Sequence, residues 1–270
     1  SARLNIEVER RGEASVLGRR SHVGPLRIQR PFYPEGSGCP HVYLLHPPGG
    51  LVGGDALETS VVVREGARAL FTTPAAQKLY RSPERTSTQR VELAVERGAT
   101  LEWFPGETIC FDAARSRSVT RVALAEDAAF LGWEIVCFGR PASGLPFTVG
   151  ELGFRFELYR GDRPLLVDRA QVSGGSEVLR GGWGYSANPV FATLYAVARA
   201  PGDLSEVVAA VRDRLGADLR FGATALEEMV VLRVGGSTVE PVRALLAQAW
   251  DVLRPRLAER AAVPPRIWAV

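Results

Sequence analysis

The sequence is almost without lysine, because Lys78 is the only lysine among its 33 lysine and arginine residues. We attribute the excess of arginine to codon bias in the genome, with a lesser role for arginine in ion pairs at interfaces. Cysteine is also scarce, and Cys39, Cys110 and Cys137 are an odd number of residues at wide spacing. This spacing argues against a disulfide framework and a structural zinc cluster, and it favours a reducing cytosol.

Long apolar runs and clusters of basic residues are absent as well. No stretch approaches the ~20 apolar residues that a transmembrane helix needs, and the polar start SARLNIEVERRGEA does not resemble a secretory signal peptide. The formal net charge is +3 and the charges are interspersed, which argues against binding to nucleic acid. We therefore expect a globular, cytoplasmic protein that binds neither nucleic acid nor a membrane.

The sequence up to about residue 200 has mostly the pattern of β-strands. Short alternating or apolar segments are separated by turn residues, and no long helical pattern lies between them. The segments are LNIEV, HVYLL, LETSVVV, RALFTT, RVELAV, TLEWF, SVTRVAL, FLGWEIVCF, FRFELY and ATLYAVA. This pattern argues against parallel β-α-β units and predicts a mainly β fold.

Three segments, REGARALF, ERGATLEWF and AEDAAFLGW, repeat one local shape at a step of about 30 residues. Each ends one strand, turns at Gly66, Gly98 or Asp127, and starts the next strand with a small residue followed by large apolar ones. Such a repeat predicts stacked β units, although a meander of β-hairpins would have the same pattern. We predict a stacked, superhelical β-sheet architecture that is β-solenoid-like.

The C-terminal quarter of the sequence has a different pattern, with two amphipathic helices on either side of a strand. Segment 203–215 has apolar residues at helical spacing, and Asp203 with Glu206 resembles a capping box. Segment 240–257 is the second helical pattern, and segment 227–236 is typical of a strand. The predicted fold class is therefore mainly β with two C-terminal α-helices.

Four glycines, Gly49, Gly50, Gly53 and Gly54, precede a single carboxylate, Asp55, in the stretch HPPGGLVGGD. A Walker-type phosphate loop needs Gly-x4-Gly-Lys-Ser/Thr, and here an aspartate stands where the lysine should be. A strand pattern follows instead of a helix, so we reject nucleotide binding. The glycines then form either a structural turn, which we prefer, or a tight corner that presents the carboxylate to a ligand or partner.

A group of candidate metal ligands, Cys39, His41 and His46, lies close together in the sequence. Thiolate, imidazole and carboxylate ligands suit nickel, copper or zinc. The spacing Cys-x-His-x4-His matches no closed structural zinc site. The sequence therefore supports an open, transient site at most, and no tightly bound cofactor.

Three acids, Glu107, Asp112 and Glu134, lie in or beside strongly apolar β segments. A carboxylate in such a place is costly unless it is paired, hydrogen-bonded or exposed to water. It can belong to a catalytic pair as in a glycosidase, to an ion pair with an arginine such as Arg140 or Arg115, or to a polar path that a cation can visit. The sequence alone slightly favours the ion pair.

Five segments in this order resemble one known family. They are GPLRIQRPFYPEG (24–36), HPPGGLVGGD (46–55), TTPAAQKLYRS (72–82), FPGETICFD (104–112) and FLGWEIVCFGRPASG (130–144). Together they resemble the urease accessory protein UreD, which is called UreH in some organisms. Gly106 and Leu145 depart from the family's pattern, and the departure concerns only the roles of these two positions.

The resemblance implies that the chain is not an enzyme but a nickel-delivery chaperone and scaffold of urease maturation. It implies binding to UreF, recruitment of the GTPase UreG through UreF, and docking on the subunits of apo-urease. It also implies a β-superhelical fold with a pair of helices. We expect one UreD-like domain over residues 1–270, with a β-rich superhelical body at 1–200 and an α/β portion at 201–270 packed on it.

The resemblance further implies a water-filled internal passage for transient nickel(II), where weak, sequential carboxylate sites would let the ion move on. The acids that we predict to line or gate this passage are Asp55, Glu107, Asp112 and Glu134. His46 and Cys110 are lesser candidates, and the four glycines would form the turn beside the passage. We also expect segment 203–270 to contribute to the contact with UreF.

Two alternatives stay open. A β-helical carbohydrate-active enzyme would use Glu107 with Asp112 or Glu134, and it would need an open groove with facing carboxylates. A pure interaction scaffold without an ion path would have its acids in salt bridges and would lack a continuous polar channel.

Overall fold

Residues 1–216 and 220–269 are described by a computed structural model of the chain. In these residues the strands are β1 (Ala2–Arg11), β2 (Ala14–Val23), β3 (Arg27–Ile28), β4 (His41–Leu45), β5 (Gly50–Leu51), β6 (Ala56–Val63), β7 (Arg68–Thr72), β8 (Gln77–Leu79), β9 (Ser87–Val95), β10 (Thr100–Phe104), β11 (Thr108–Cys110), β12 (Arg115–Leu124), β13 (Ala129–Arg140), β14 (Leu145–Pro146), β15 (Glu151–Arg160), β16 (Arg163–Ser173), β17 (Val190–Val197), β18 (Arg220–Leu226) and β19 (Met229–Gly236). The helices are α1 (Glu177–Arg180), α2 (Ser205–Leu215) and α3 (Val239–Leu257), with short 3-10 helices at Pro141–Ser143 and Arg266–Ala269. The fold is mainly β, as the sequence predicts.

The repeating unit of the fold is a coil of strands that pair in parallel with the next coil. Thr100 of β10 pairs with Arg68 of β7 on one side and with Ala129 of β13 on the other. Neighbouring coils are therefore offset by about 30 residues, the step of the sequence repeat. Strands β6, β9, β12 and β15 pair in parallel in the same manner. The prediction of stacked, solenoid-like β units is confirmed.

The strands form two sheets. The seven-stranded sheet has the order β16-β15-β12-β9-β6-β1-β2, and the larger sheet follows the path β18-β19-β17-β13-β10-β7-β4-β3. The short strands β5, β8 and β11 form a third run of parallel pairs that joins the larger sheet at β13. Each coil thus passes through a long strand, a strand of the larger sheet and a short strand.

The turns that connect the two sheets lie on consecutive coils. Gly66 and Gly98 have positive φ angles of 68° and 62°, which glycine adopts without strain. The N–H of Gly66 donates to the carbonyl oxygen of Arg97 at 2.8 Å, and the N–H of Gly98 donates to Oδ1 of Asp127 at 2.9 Å. The turn residues that the sequence repeat indicates therefore support one another.

Ladders of apolar side chains fill the interior of the coils. One ladder consists of Val61, Leu93, Val122 and Leu158, which pair across β6, β9, β12 and β15 and are all buried. Side chains alternate between the two faces of a strand, so residues two apart fill the same face. Equivalent positions on successive coils therefore meet, and the burial of their apolar surface stabilises the stack.

The C-terminal helices cover one face of the larger sheet. Val211 of α2 and Leu246 and Trp250 of α3 are buried in one cluster with Trp133 of β13. The tail packs on the same cluster, because the ring of Trp268 lies 4.9 Å from that of Trp133. The apolar faces of both helices and the tail are thus used inside the chain.

No helix in the described part of the chain is long and apolar enough to cross a membrane. The expectation that residues 1–270 form a single domain stays a prediction.

Candidate functional site

The glycine corner in HPPGGLVGGD is a turn packed closely against the next coil. Gly49 and Gly54 have positive φ angles of 73° and 89°, in the left-handed region that favours glycine. At Gly50 and Gly53 a Cβ atom would collide with backbone or side-chain atoms of residues 78–85. The glycines therefore let the chain turn sharply and let two coils approach each other.

Asp55 hydrogen-bonds within this turn. Its Oδ2 accepts the N–H of Val52 at 3.0 Å, and its carbonyl oxygen accepts the N–H of Thr88 at 2.8 Å. The side chain is half-buried and does not line the three cavities described below. These contacts hold the turn, and a part for Asp55 in a passage stays a prediction.

Cavity 1 lies between the two sheets and has a volume of about 400 Å³. Its walls are mostly apolar and include Leu57 of the seven-stranded sheet and Trp103 of the larger sheet. The polar side chains on its walls include those of His46, Gln77, Thr120 and Glu134. A space of this size and polarity has room for several water molecules near its few polar groups.

Glu134 of β13 lies where cavity 1 meets cavity 2, which has a volume of about 470 Å³. Val136 and Phe154 also line both cavities. Oγ1 of Thr120 donates to Oε1 of Glu134 at 2.8 Å, and no salt bridge to Glu134 exists in the described residues. Burial raises the pKa of Glu134 from 4.5 to about 7, with the Thr120 hydrogen bond lowering it and the nearby charge of Asp168 raising it.

Asp168 of β16 is a second carboxylate on cavity 2, which the sequence analysis did not identify. It pairs with Arg233 of β19, whose Nη2 lies 2.6 Å from Oδ2. Trp183 lines the same cavity and is 75% exposed, so cavity 2 reaches the surface. The signal that could have indicated Asp168 is a single acid within the apolar stretch PLLVDRAQV.

Glu107 lies at cavity 3, which has a volume of about 120 Å³ and shares residues 73–76 of its wall with cavity 1. The side chain of Glu107 is 14% exposed and forms a salt bridge with Arg243 of α3. The ion pair that the sequence favoured is therefore present at this position. Its arginine is Arg243, however, and neither Arg140 nor Arg115.

Asp112 is exposed and lies outside the three cavities. Its Oδ1 accepts the N–H groups of Thr148 at 2.7 Å and Val149 at 2.9 Å, and also the hydroxyl of Thr148 at 3.0 Å. Slight burial would raise the pKa of Asp112, but these hydrogen bonds lower it below its ordinary value. The contacts hold the loop before β15, and a part for Asp112 in a passage stays a prediction.

The two lesser candidates differ in their access to cavity 1. His46 lines this cavity, and its buried Nδ1 has no hydrogen-bond partner in the described residues. Burial lowers the pKa of His46, with Asp55 opposing the change, which favours the neutral form of the ring that binds metals. Cys110 is fully buried away from the cavity, and burial together with Cys137 raises the pKa of its thiol well above the ordinary value.

Another group of metal-ligand types lies where the loop before β4 meets α3. Glu35, Cys39 and His41 each place one ligand atom within 4.8 Å of the others, and His46 is not part of this group. Nη2 of Arg254 lies 2.6 Å from Oε1 of Glu35 and 3.9 Å from the sulfur of Cys39. Burial would raise the pKa of Glu35, but hydrogen bonds from His41 and Arg254 lower it to about 2. The guanidinium of Arg254 thus already occupies the place that a metal cation would take beside Glu35.

The sequence model of the family described as "UreD urease accessory protein" matches residues 1–269. The chain belongs to the UreD family. It is 46% identical over 250 residues to urease accessory protein UreD 1 of Psychrobacter cryohalolentis, covering 92% of this chain and 82% of that protein. It is 41% identical over 270 residues to UreD 2 of Brucella anthropi, covering 99% and 97% of the two chains.

A third UreD, from Alkalilimnicola ehrlichii, is 46% identical over 269 residues and covers 98% of this chain and 90% of that protein. All three relatives are named urease accessory proteins. The three acids considered for a glycosidase pair do not line one common cavity: Glu107 lies at cavity 3, Glu134 at cavities 1 and 2, and Asp112 at the surface.

Proposed function

We propose that this UreD is a nickel-delivery chaperone of urease maturation that conducts nickel through cavities 1 and 2. In this proposal it binds UreF, recruits the GTPase UreG through UreF and docks on apo-urease in the cytoplasm. The observation that carries the ion path is the position of Glu134, which lines both cavities. Nickel is the cargo here and not a resident cofactor.

The surroundings of Glu134 suit the transient binding of a divalent cation. Glu134 forms no salt bridge with an arginine or lysine of the described residues, so its ionised carboxylate is not already neutralised by a side-chain cation. One carboxylate and one hydroxyl from Thr120 make few contacts with a metal, so the ion would bind weakly and leave quickly. A thiolate cage would hold nickel too firmly to pass it on, and the buried neutral thiol of Cys110 offers none.

Neighbouring groups extend the path in both directions. His46 offers on cavity 1 a ring nitrogen that has no partner in the described residues, whereas the Asp168 carboxylate on cavity 2 is paired with Arg233, with which an ion would compete. Imidazole nitrogen and carboxylate oxygen are both ligands that nickel accepts. The path we propose therefore has His46, Glu134 and Asp168 as successive contacts.

A reconstituted activation assay tests this path with apo-urease, UreF, UreG, GTP and nickel. We expect Glu134→Gln to fold and to bind UreF normally, but to slow the incorporation of nickel into urease. Glu58→Gln is the matched control, because Glu58 is an exposed acid paired with Arg3. Normal nickel incorporation with Glu134→Gln would rule out the path while leaving the chaperone role intact.

A pure scaffold without an ion path is the second candidate. It is favoured by the internal partners of three predicted acids: Asp55 and Asp112 bind backbone amides, and Glu107 pairs with Arg243. The scaffold predicts that Glu134→Gln activates urease at the normal rate whenever the complex assembles. The same assay therefore separates the two candidates.

A further inference from the structure

Charge is unevenly distributed around cavity 1. Among the described residues that line it, Glu134 is the only acid, and neither a lysine nor an arginine is present. Three other lining residues, Pro47, Pro74 and Ala75, are exposed, so the cavity opens to the surface between apolar side chains. Cavity 1 thus has an apolar rim and a single carboxylate inside.

The rest of the wall of cavity 1 is mainly apolar. It includes Leu44 and Leu45 of β4, Leu57 of β6, Val91 of β9 and Trp103 of β10. The volume of about 400 Å³ falls in the range of about 300–1,000 Å³ that is usual for pockets that hold small molecules. Such pockets are mostly apolar and have a few polar groups that fix the orientation of the ligand. Cavity 1 therefore has the size and the lining of a site for an organic molecule.

Cavity 2 differs from cavity 1, because charged groups of both signs line it. Asp168, Arg169 and Arg233 lie on its wall together with Glu134. A hydrated ion finds hydrogen-bonding partners there, whereas the apolar wall of cavity 1 offers it few. The apolar surface of cavity 1 is therefore not explained by the passage of an ion.

The carboxylate of Glu134 is not saturated with hydrogen bonds. Its Oε1 accepts the hydroxyl of Thr120 at 2.8 Å, and its Oε2 has no hydrogen-bond donor among the described residues. Phe154 lines both cavities, as Glu134 does, so an aromatic side chain lies at the same junction. A carboxylate and an aromatic ring are groups that bind an organic ammonium ion, the first by charge and hydrogen bonds and the second by its face.

We propose that cavity 1 binds a primary amine with an apolar body. The ammonium group of this ligand contacts Glu134, and the body covers the apolar wall and extends towards the rim. A fatty acid would bring a second carboxylate against Glu134, and a neutral ligand would leave the charge of Glu134 without a partner. The inference names a ligand other than nickel and does not rest on the ion path. A bound amine would, however, occupy the carboxylate that the proposed path uses, so it would exclude a divalent cation from Glu134.

Isothermal titration calorimetry on the full chain at pH 8, with n-hexylamine as the probe, tests this site. At this pH the amine carries its proton, and Glu134, with a pKa of about 7, is mostly ionised. We expect one site per chain and binding at least tenfold tighter than that of 1-hexanol or hexanoate, whose apolar bodies have a similar length. From propylamine to hexylamine the affinity should rise about fourfold for each added methylene group.

Two variants locate the site. Glu134→Gln keeps the shape of the side chain and removes its charge, so it should weaken the binding of hexylamine at least tenfold. Glu58→Gln is the matched control, because Glu58 is an exposed acid that pairs with Arg3, and it should bind hexylamine as the unmodified chain does. Thermal unfolding checks that both variants are folded, and the comparison of hexylamine with 1-hexanol depends on neither of them.

The outcomes separate this inference from the proposed function. Equal binding of hexylamine and 1-hexanol, binding that Glu134→Gln leaves unchanged, or no binding at millimolar hexylamine would each overturn the amine site. The ion path is tested separately by nickel incorporation. Slow incorporation with Glu134→Gln but no amine binding would leave the path without this site, whereas amine binding with normal incorporation would leave this site without the path.

Discussion

Replacement of Arg254 by methionine is the sharpest test of how the C-terminal helix is attached to the β coils. The guanidinium is fully buried on α3 and contacts two acids from distant parts of the chain. Its Nε and Nη2 bind the carboxylate of Glu102 at distances from 2.8 to 3.1 Å, and Nη2 binds Glu35 at 2.6 Å. Methionine keeps most of the volume and removes the charge.

The expected loss follows from the burial of the partners. The side chains of Glu102 and Glu35 are 2% and 3% exposed, so neither can recover its lost ion pair with water. Glu35 keeps its bonds to His41 and Arg260, while Glu102 keeps, among the described residues, only the indole N–H of Trp250 as a side-chain donor. Removal of one partner from a buried pair costs about 3–5 kcal/mol, and Glu102 carries most of this loss.

Urea unfolding followed by tryptophan fluorescence measures this loss. Trp250 binds Glu102 and packs near Trp268, so its emission reports the region concerned. With an m value of about 2–3 kcal/mol per molar urea, the midpoint of Arg254→Met should fall by about 1–2.5 M. The control Arg3→Ala removes an exposed pair, with side chains 61% and 48% exposed, and should cost less than about 1 kcal/mol.

A double variant shows whether the uncompensated charge is the cause. Glu102→Gln in the Arg254→Met background removes the orphaned carboxylate and should recover part of the loss, because a buried pair replaced as a whole is often tolerated. A midpoint for Arg254→Met that equals that of Arg3→Ala would refute the reasoning. So would a double variant that is no more stable than Arg254→Met.

Three further measurements follow from the same structure. The pKa of Glu134 is raised from 4.5 to about 7, so its contribution to stability is present below pH 4.5 and lost as the pH rises through 7. Glu134→Gln should therefore reduce the fall in the free energy of unfolding between pH 4.5 and pH 8 by up to about 3 kcal/mol, as measured by urea titrations at the two pH values. The pKa of Glu35 is lowered from 4.5 to about 2, so its contribution to stability is present above pH 4.5 and lost as the pH falls towards 2. Glu35→Gln should therefore weaken the dependence of the free energy of unfolding on pH in this range, and an unchanged dependence would contradict the assignment. A Cβ at Gly53 would lie 2.6 Å from the carbonyl oxygen of Arg85, so Gly53→Ala should lower stability by about 1–3 kcal/mol, whereas Gly182→Ala, with no atom within 4 Å, should change the melting temperature little.

The coil repeat could be predicted from the sequence because its cause is local. Each coil places a turn residue and an apolar strand start at the same step, and the chain signals this at Gly66, Gly98 and Asp127. The alternative of a hairpin meander could not be excluded from the sequence, since parallel and antiparallel neighbours bury the same alternating residues. Only the pairing of β7, β10 and β13 in parallel distinguishes them.

Four of the strands that the sequence pattern did not indicate, β2, β3, β16 and β18, are found at sheet edges. β2 and β16 are the two edges of the seven-stranded sheet, and β18 and β3 end the path of the larger one. β2 and β16 in particular have many exposed residues and several arginines. Charge on an edge prevents association with other chains, and it also removes the alternation that sequence patterns rely on.

The arginine partners of two largely buried acids, the predicted Glu107 and the unpredicted Glu35, lie too far along the chain for any local signal. Glu107 pairs with Arg243 across 136 residues, and Glu35 pairs with Arg254 across 219. The amphipathic pattern of α2 and α3 predicted helices correctly, but their apolar faces cover the sheet, so UreF could meet only their polar faces. A truncation at residue 202 would therefore expose the core.

The bond between Glu35 and Arg254 also matters while the chain is being made. Coils near the N-terminus can stack as they leave the ribosome, because each one needs only its neighbour. Glu35 and Glu102, however, gain their counter-charge only after the ribosome has added the residue that carries it. We expect interrupted chains to leave one face of the larger sheet uncovered and to be removed by proteases, since the apolar side chains that α3 covers stay exposed. The larger sheet is therefore covered only after α3 has been synthesised.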